Sequence, residues 1–305
     1  MIDELINLTQ FTKILSPAKL NLGLKIVGKT KNNYHLLNTI FGLINLTDVI
    51  YLKINNTLKQ RINFINYHNY WPIDHDLIYQ AIILLQTYTN SKYDLDIIIE
   101  KHIPIGAGLG GGSSNAAAIL LLLNQMLKLQ LSTAELITLG CQLGADVPLF
   151  IYRYHAFANN IGDQLFPIIL PIRYFILINP NINISTKKVF QNFQYNQITS
   201  IFEPITPYVN QTINLVVINN EVDQRCKQLF VAQDNDLLGT VIKLYPQLKA
   251  IIAHINTITN NQQLSLTGSG STLYLTFNDL HQAKIIADKL KSWYNIYLVN
   301  YFAST

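Results

Sequence analysis

The sequence predicts an α+β protein of two lobes, and three observations lead to this fold class. The chain has 305 residues, of which 49% are hydrophobic and 13% charged, so we expect a substantial core in two domains or one large one. Strand-like and helix-like segments are mixed along the chain. Prolines and asparagine-rich stretches become frequent after residue 160. We therefore predict domains at 1–160 and 161–295, with a final strand at 296–305 that can pack back on the first domain.

Strands dominate the beginning of the chain, and helices follow them. Alternating or continuous apolar residues predict strands, and longer apolar segments behind a capping residue predict helices. Asp74 or Asp76 is the expected N-cap of the first helix, and Ser132 with Glu135 resembles a capping box. The strand-like segments of this half are 14–27, 36–46, 48–55, 61–69, 95–102 and 149–154, and the predicted helices are 77–89, 114–129 and 132–144.

The second half is predicted to alternate strands with helices between polar, asparagine-rich stretches. A second glycine-containing segment, T-G-S-G-S at 267–271, marks a turn before one of the strands. The predicted strands are 174–178, 272–277 and 296–301, and the predicted helices are 222–230, 237–244, 247–256 and 280–293.

Composition restricts the class of partner. The net charge of +4 suits an anionic small substrate but lacks the clustered basic stripe of a nucleic-acid binder. Cys141 and Cys226 have no metal-ligand spacing, so we interpret both as buried thiols in a reducing compartment. No secretory signal opens the chain, and the longest apolar block, 116–123, is too short to span a bilayer. A cytoplasmic protein without a membrane partner is therefore expected.

The most informative segment is P-I-G-A-G-L-G-G-G-S-S-N-A-A-A at 104–118, which has five glycines within seven residues. Glycine allows backbone N–H groups to approach a ligand closely, and a helix that starts at Ser113 or Ser114 adds free N–H donors and a positive dipole end. Such a loop suits a triphosphate. The candidate nucleotide-binding residues are Pro104, Gly106, Gly108, Leu109, Gly110, Gly111, Gly112, Ser113 and Ser114.

Commoner glycine motifs fit this segment poorly. It lacks the Lys of a P-loop, and no H-R-D or D-F-G of a protein kinase follows it. Gly106, Gly108 and Gly111 do match G-x-G-x-x-G, which is weak support for a dinucleotide-binding fold. However, Pro104 interrupts the strand before the glycines, and the next acidic residue, Glu135, falls inside a predicted helix.

Five segments in this order resemble the GHMP small-molecule kinases. They are S-P-A-K-L-N-L at 16–22, Y-H at 34–35, the glycine-rich loop, L-G-A-D-V-P at 143–148 and T-G-S-G at 267–270. The resemblance covers nearly the whole chain and is nearest to members that act on a cytidyl diphosphate alcohol. It implies an N-terminal ATP lobe like ribosomal protein S5, a ferredoxin-like α+β C-terminal lobe, ATP with Mg²⁺, and a monomer or homodimer.

The catalytic residues are expected to be Asp146 and Lys19. Both lie in segments with few charges, where an unpaired buried charge is costly and a Lys–Asp pair reduces that cost. By resemblance, Asp146 is the general base that also contacts the substrate, and Lys19 orients it. Ser114 is the expected Mg²⁺ ligand. The resemblance further assigns substrate binding to Asn21, Tyr34, His35, Thr186 and Phe190, and a supporting turn to Gly268, Ser269 and Gly270.

Alternative interpretations exist for single residues and for the whole chain. Asp76 stands where the similar kinases have an Asn near adenine, and Asp can accept but not donate a hydrogen bond. A hairpin turn is the simpler explanation of 267–271. For the whole chain, the alternatives are a GHMP kinase for homoserine, mevalonate or a sugar, a catalytically silent nucleotide sensor, and an RNA-binding protein.

Overall fold

The computed structural model describes residues 7–55, 57, 59–65, 72–194 and 234–303. The predicted helix 222–230 and Cys226 lie outside the described residues. The chain divides into two compact units, which are considered separately. The first contains Met1–Ala18, Thr47–Ile103 and Gly111–Tyr152, and the second contains Lys19–Leu46, Pro104–Gly110 and Arg153–Thr305. These units are not the two predicted sequence domains, and the boundary at residue 160 stays a prediction.

The structure mixes strands and helices along the chain, as predicted. Two short 3₁₀ turns, Leu8–Gln10 and Ile73–His75, accompany the longer elements. In chain order these are β1 Thr12–Lys29, β2 His35–Ile54, β3 Ile62–Ile65, α1 Leu77–Thr89, β4 Leu95–Glu100, α2 Gly111–Met126, α3 Thr133–Leu143, α4 Val147–Tyr152, β5 Ala156–Asn159, β6 Gln164–Pro167, β7 Tyr174–Asn179, α5 Thr186–Asn192, α6 Leu238–Leu244, α7 Gln247–Thr259, β8 Leu264–Leu266, β9 Leu273–Phe277, α8 Leu280–Leu290 and β10 Asn295–Asn300.

The first unit is built around α2. In its sheet, β3 runs parallel to β4, and β4 pairs antiparallel with residues 49–54 of β2. Helices α1, α3 and α4 pack against α2. Residues 114–120 of α2 are all buried, because its apolar side chains surround the helix and leave few polar positions for solvent. The prediction of a buried helix is thus confirmed.

Side-chain caps begin two helices of this unit as predicted. The Asp76 carboxylate accepts a hydrogen bond from Ile78 N at 2.8 Å and so acts as the N-cap of α1. Ser132 and Glu135 form a reciprocal capping box at α3. Each side-chain oxygen satisfies an N–H group that has no partner within the first helical turn.

Three local predictions for this unit were wrong. Helix α2, which follows the glycine-rich loop, begins at Gly111, two residues before Ser113. Residues 149–152 of the predicted strand 149–154 lie instead in helix α4, because a short apolar run does not distinguish strand from helix, and Pro148 is tolerated in a first turn. Cys141 is exposed, because it lies off the face of α3 that buries Leu136, Leu139 and Gly140.

The second unit contains an antiparallel sheet in the order β10–β7–β9–β8. Its core includes Ile176 and Leu275 from the sheet and Leu248 and Leu290 from helices α7 and α8. The first half of β2 pairs with β5, which pairs in turn with β6. The elements that sequence patterns missed are β5, β6, β8 and α5, each of three to seven residues. Such segments are too short to show a clear period. Along the described part of the chain, every helix is too short or too polar to cross a bilayer.

We expect His155 to make the stability of the fold depend on pH. Burial lowers the pKa of this imidazole from 6.5 to about 4, and its Nδ1 accepts a hydrogen bond from Leu43 N at 3.1 Å. The folded state therefore holds His155 neutral, while the unfolded chain takes up a proton as the pH falls through 6.5. Its contribution should be constant above pH 6.5 and should decrease between pH 6.5 and pH 4.

Urea unfolding of the wild type and of His155→Asn, measured at pH 7 and pH 5, checks this prediction. The Asn side chain keeps an acceptor but does not titrate in this range. The loss of free energy of unfolding between the two pH values should be smaller in the variant. Equal losses would show that His155 does not govern the acid sensitivity.

Candidate active site

In the second unit, the loop Pro104–Gly110 lies directly against the turn at 267–270. Gly108 has φ = +77°, and a Cβ at this position would lie 2.7 Å from Gly270 O and 3.0 Å from Thr267 O. Further backbone bonds hold the loop, since Thr272 N donates to Ala107 O at 3.3 Å and Lys19 N donates to Leu109 O at 3.0 Å. The two glycine segments singled out in the sequence are therefore in contact, and a side chain at 108 would separate them.

Lys19 and Asn21 form a buried polar cluster beside this turn. Lys19 Nζ donates to Asn21 Oδ1 at 2.6 Å, and Asn21 Nδ2 donates to Thr39 Oγ1 at 3.0 Å. The Thr39 hydroxyl donates in turn to Gly23 O at 2.7 Å. Lys19 and Asn21 are each less than 5% exposed, and a Cβ on Gly268 would lie 3.4 Å from Lys19 Nζ. This chain of bonds holds the ammonium in one orientation.

The substrate-side candidates of the second unit meet around α5. The His35 ring lies 5.4 Å from the Phe190 ring and 5.7 Å from the Phe193 ring. The hydroxyls of Thr186 and Ser269 are 2.7 Å apart, which ties α5 to the glycine turn. Tyr34 precedes His35 but is 63% exposed. The structure thus joins Thr186 to the turn and Phe190 to His35, while Tyr34 projects into solvent.

Burial first, and the nearby Lys29 charge second, lower the pKa of His35 below its ordinary value. The imidazole is therefore neutral at pH 7, with one nitrogen that donates and one that accepts. Among the described residues, no group pairs with the buried His35 Nε2. Because a buried polar atom normally has a partner, this nitrogen is suited to a ligand.

Sequence reasoning missed Asn235, which holds the glycine turn from behind. Its side-chain amide donates to Leu266 O at 2.8 Å and to Gly268 O at 2.7 Å, and its Oδ1 accepts from Leu237 N at 2.9 Å. One side chain thus fixes the backbone on both sides of Thr267. No sequence signal distinguishes Asn235, because asparagine is abundant throughout this region.

In the first unit, Gly111, Gly112, Ser113 and Ser114 form the first turn of α2. The chain that enters this turn is held by Asp48, whose carboxylate accepts from His102 N and Ile103 N, both at 2.8 Å, and pairs with Lys101. A Cβ at Gly111 would lie 3.0 Å from the Ile103 side chain. The fully buried Asp48 was not recognised in the sequence, where it is one acid within an apolar strand.

Ser114 is buried in this turn, and Ser16 Oγ lies 2.7 Å from its hydroxyl oxygen. Asp146 is half-buried and directly precedes α4. Lys19 belongs to the second unit and Asp146 to the first, so their expected pairing stays a prediction.

The described residues contain no group of three or more His, Cys, Asp or Glu side chains that could hold a metal ion. Mg²⁺ binds with near-octahedral geometry and is often held by one or two protein groups plus substrate phosphates. The buried Ser114 hydroxyl is a chemically suitable oxygen ligand of this kind, and its expected role as a Mg²⁺ ligand stays a prediction.

Comparison with known proteins identifies the class and then the family. Residues 76–154 match the family described as GHMP kinases N terminal domain. The crystal structure of the Methanococcus jannaschii mevalonate kinase matches with a TM-score of 0.63 and 17% identity, over 96% of this chain and 99% of that one. The protein therefore has the α+β GHMP kinase fold, as predicted.

A solved 4-(cytidine 5'-diphospho)-2C-methyl-D-erythritol kinase matches with a TM-score of 0.76 and 26% identity, over 96% of this chain and all of that one. The 4-diphosphocytidyl-2-C-methyl-D-erythritol kinase of Ralstonia pickettii (strain 12J) is 34% identical over 91% of this chain and 89% of the relative. That of Nitrosococcus oceani is 33% identical over 88% and 86%. The chain belongs to the 4-diphosphocytidyl-2-C-methyl-D-erythritol kinase family of small-molecule kinases.

Proposed function

We propose that the protein transfers the γ-phosphoryl group of ATP to the 2-hydroxyl of 4-diphosphocytidyl-2-C-methyl-D-erythritol, in non-mevalonate isoprenoid synthesis. Family membership supports the reaction. The observation that carries the proposal for this chain is the contact between Gly108 and the turn at 267–270, beside the buried Lys19–Asn21 pair. This contact places a glycine loop, whose backbone a ligand can approach closely, beside the ammonium group of Lys19 within one unit. Phosphoryl transfer needs both a group that positions the phosphates and a positive charge.

The glycine loop is proposed to bind the triphosphate. Gly106, Gly108 and Gly110 present backbone N–H groups without side chains, and the first turn of α2 adds N–H donors of a helix start. When bound, Mg²⁺ would neutralise charge on the phosphate oxygens, and the Ser114 hydroxyl would be its ligand, directly or through water. The protein's own contribution is to hold the phosphates still and exclude other orientations.

Asp146 is proposed to accept the proton of the substrate hydroxyl. The hydroxyl oxygen forms a bond to the γ-phosphorus while the bond from that phosphorus to the bridging oxygen breaks, and ADP leaves with the electron pair. Because an alcohol is a far weaker acid than an aspartic acid, the proton moves late in a loose transition state. Asp146 therefore mainly orients the hydroxyl, and Lys19 stabilises the negative charge near it.

The cytidyl group is proposed to lie between Tyr34 and Phe190, with His35 at its edge. A flat base stacks on aromatic rings, and the neutral His35 ring can donate to or accept from the base edge. Asn21 and Thr186 are polar groups that would contact the remainder of the substrate. The Thr186–Ser269 bond supports this assignment, because it places α5 beside the glycine turn.

Tyr34→Ala is expected to raise the KM for the cytidyl substrate about tenfold, from the loss of one stacking contact, and to leave the KM for ATP within about twofold. Steady-state kinetics with each substrate varied in turn measures this. Tyr88→Ala is the control and should change neither KM. Tyr88 is also half-exposed, but it lies on α1 and not beside His35. An equal rise in both KM values for Tyr34→Ala would indicate a packing role.

The function itself is tested by measuring ADP release with the cytidyl diphosphate alcohol, homoserine, mevalonate and a sugar as acceptors. Turnover should be highest with the cytidyl substrate. ATP binding without ADP release in the presence of any of these acceptors would instead indicate a nucleotide sensor. Binding to RNA that weakens steeply with increasing salt would indicate an RNA-binding protein. Cytoplasmic location, the monomeric or homodimeric state and the domain boundaries stay predictions.

A further inference from the structure

A short segment beside β1 places Asn235 behind the glycine turn. Leu24 N of β1 donates to Asp234 O at 2.8 Å, and Asp236 N donates to Leu24 O at 3.0 Å. The Asp236 carboxylate also accepts from Ile26 N at 2.9 Å. All of these residues belong to the second unit. Asn235, which lies between the two aspartates, is therefore tied to β1.

Each polar atom of the Asn235 side chain bonds to the backbone. Its amide nitrogen has two hydrogens and donates to Leu266 O at 2.8 Å and to Gly268 O at 2.7 Å, while its carbonyl oxygen accepts from Leu237 N at 2.9 Å. An aspartate of the same size could accept the last bond but could donate neither of the first two. The carbonyl groups on both sides of Thr267 therefore depend on an amide at position 235.

Further hydrogen bonds lead from the turn to the ammonium group of Lys19. The Thr267 hydroxyl accepts from Asn21 N at 3.0 Å, and Asn21 Oδ1 accepts from Lys19 Nζ at 2.6 Å. Thr267 is completely buried, and Asn21 and Lys19 are 3% and 4% exposed, so little water competes for these bonds. A Cβ on Gly268 would lie 3.2 Å from Asn21 Oδ1 and 3.4 Å from Lys19 Nζ. The backbone that Asn235 holds is thus the surface against which these two polar groups pack.

We propose that Asn235 is a positioning residue for phosphoryl transfer, which holds the glycine turn so that Thr267, Asn21 and Lys19 keep one arrangement. This inference rests on the proposed function, in which the Lys19 ammonium stabilises negative charge near the reacting hydroxyl. Asn235 acts through the turn and not by contact with the substrates. A misplacement of about 1 Å can cost about 10²-fold in rate, so the loss of the two donated bonds lowers kcat.

Asn235→Asp, which keeps the size and the acceptor of the side chain, should lower kcat about ten- to a hundredfold. Affinity for a non-hydrolysable ATP analogue should stay within about threefold, because the atoms that Gly108 faces, Thr267 O and Gly270 O, accept no bond from Asn235. Kinetics with the cytidyl substrate and calorimetric titration of the analogue, both on the full chain, measure the two effects.

Asn124→Asp is the matched control. Asn124 lies near the end of α2 in the first unit, and its side chain also donates to a backbone carbonyl, Leu131 O, and accepts from a backbone amide, Leu131 N, both at 3.0 Å. This variant should lower the unfolding temperature and leave kcat within about twofold. Thermal unfolding shows whether each variant folds. Should Asn235→Asp not fold, Asn235→Ala removes the amide without adding a charge and takes its place with the same expected results.

A second set of variants tests the route to Lys19. Thr267→Val removes the hydroxyl that accepts from Asn21 N but nearly keeps the shape of the side chain, so it should lower kcat as Asn235→Asp does. Thr267→Ser keeps the hydroxyl and should retain most of kcat. In Lys19→Met, which lacks the ammonium group, Asn235→Asp should lower the single-turnover rate by no more than about a further twofold, because groups that act as a unit are not additive.

The inference is overturned if Asn235→Asp or Thr267→Val keeps kcat within about twofold of the wild type. It is also overturned if Asn235→Asp is as harmful in Lys19→Met as in the wild type, or if Asn124→Asp lowers kcat as much, which would indicate lost stability as the cause. Any of these results with an active wild type leaves the proposed function standing. If the wild type releases no ADP with the cytidyl substrate, both the inference and the proposed function fail.

Discussion

Asp146→Asn should lower kcat by about 10²–10⁴-fold, the usual contribution of a positioned general base. The amide keeps the size of the side chain but cannot accept the proton of the substrate hydroxyl as a carboxylate does. Affinity for a non-hydrolysable ATP analogue should stay within about threefold, because the glycine loop and not Asp146 is proposed to bind the phosphates. Single-turnover kinetics with the cytidyl substrate, together with calorimetric titration of the analogue, measures the two effects.

Asp279→Asn is the matched control. Asp279 also directly precedes a helix, and its carboxylate caps α8 by accepting from Gln282 N at 2.8 Å. Asparagine caps a helix as well as aspartate does, so this variant should keep both stability and kcat. If Asp146→Asn also kept kcat near that of the wild type, Asp146 would only be a residue at the start of α4, and the proposed base would have to be abandoned.

Gly108→Ala is expected to have the second large effect, on nucleotide binding and stability together. The new Cβ would lie 2.7 Å from Gly270 O, closer than real Cβ contacts, and 3.0 Å from Thr267 O, which is tighter than most of them. The backbone also has φ = +77°, a conformation that costs an L-residue about 1–2 kcal/mol. Because both neighbouring atoms belong to the backbone of a turn, the loop or the turn must move.

We expect Gly108→Ala to weaken binding of the ATP analogue by at least about tenfold, equivalent to about 1.4 kcal/mol, and to lower the unfolding temperature. Gly239→Ala is the control, because among the described residues no atom beyond its chain neighbours and the backbone of α6 lies within 4 Å of a Cβ at that position. Replacing a helical glycine by alanine should stabilise the protein by up to about 1 kcal/mol. If Gly108→Ala bound the nucleotide with unchanged affinity, close packing of the loop on the turn would not be required for nucleotide binding.

Features that depend on neighbours in the chain were predictable from the sequence. The N-cap at Asp76 and the capping box of Ser132 and Glu135 were found because each involves residues two or three positions apart. The buried helix α2 was found because its apolar composition is continuous. Both glycine segments were also found, since glycine-rich runs are distinctive at any position in a fold.

Short elements were less predictable for a physical reason. The segment that forms α4 has six residues, five of them buried, and a fully apolar run has neither the period of a strand nor that of a helix. Its helical form follows from packing, because Val147 and Ile151 both meet Gly140 of α3. The exposure of Cys141 likewise depends on which face of α3 is covered.

The amino-acid sequence by itself determined the family, the glycine-rich loop, the helix caps and the names of the candidate site residues, because all of these are local patterns or ordered sets of local patterns. Only the tertiary structure decided that Gly108 contacts the turn at 267–270, that Asn235 holds this turn, that Asp48 holds the chain at 102–103, and that Ser16 meets Ser114. These contacts join residues far apart in the chain. They form because burial of apolar surface brings the segments together, and the buried polar groups must then find partners wherever the fold places them.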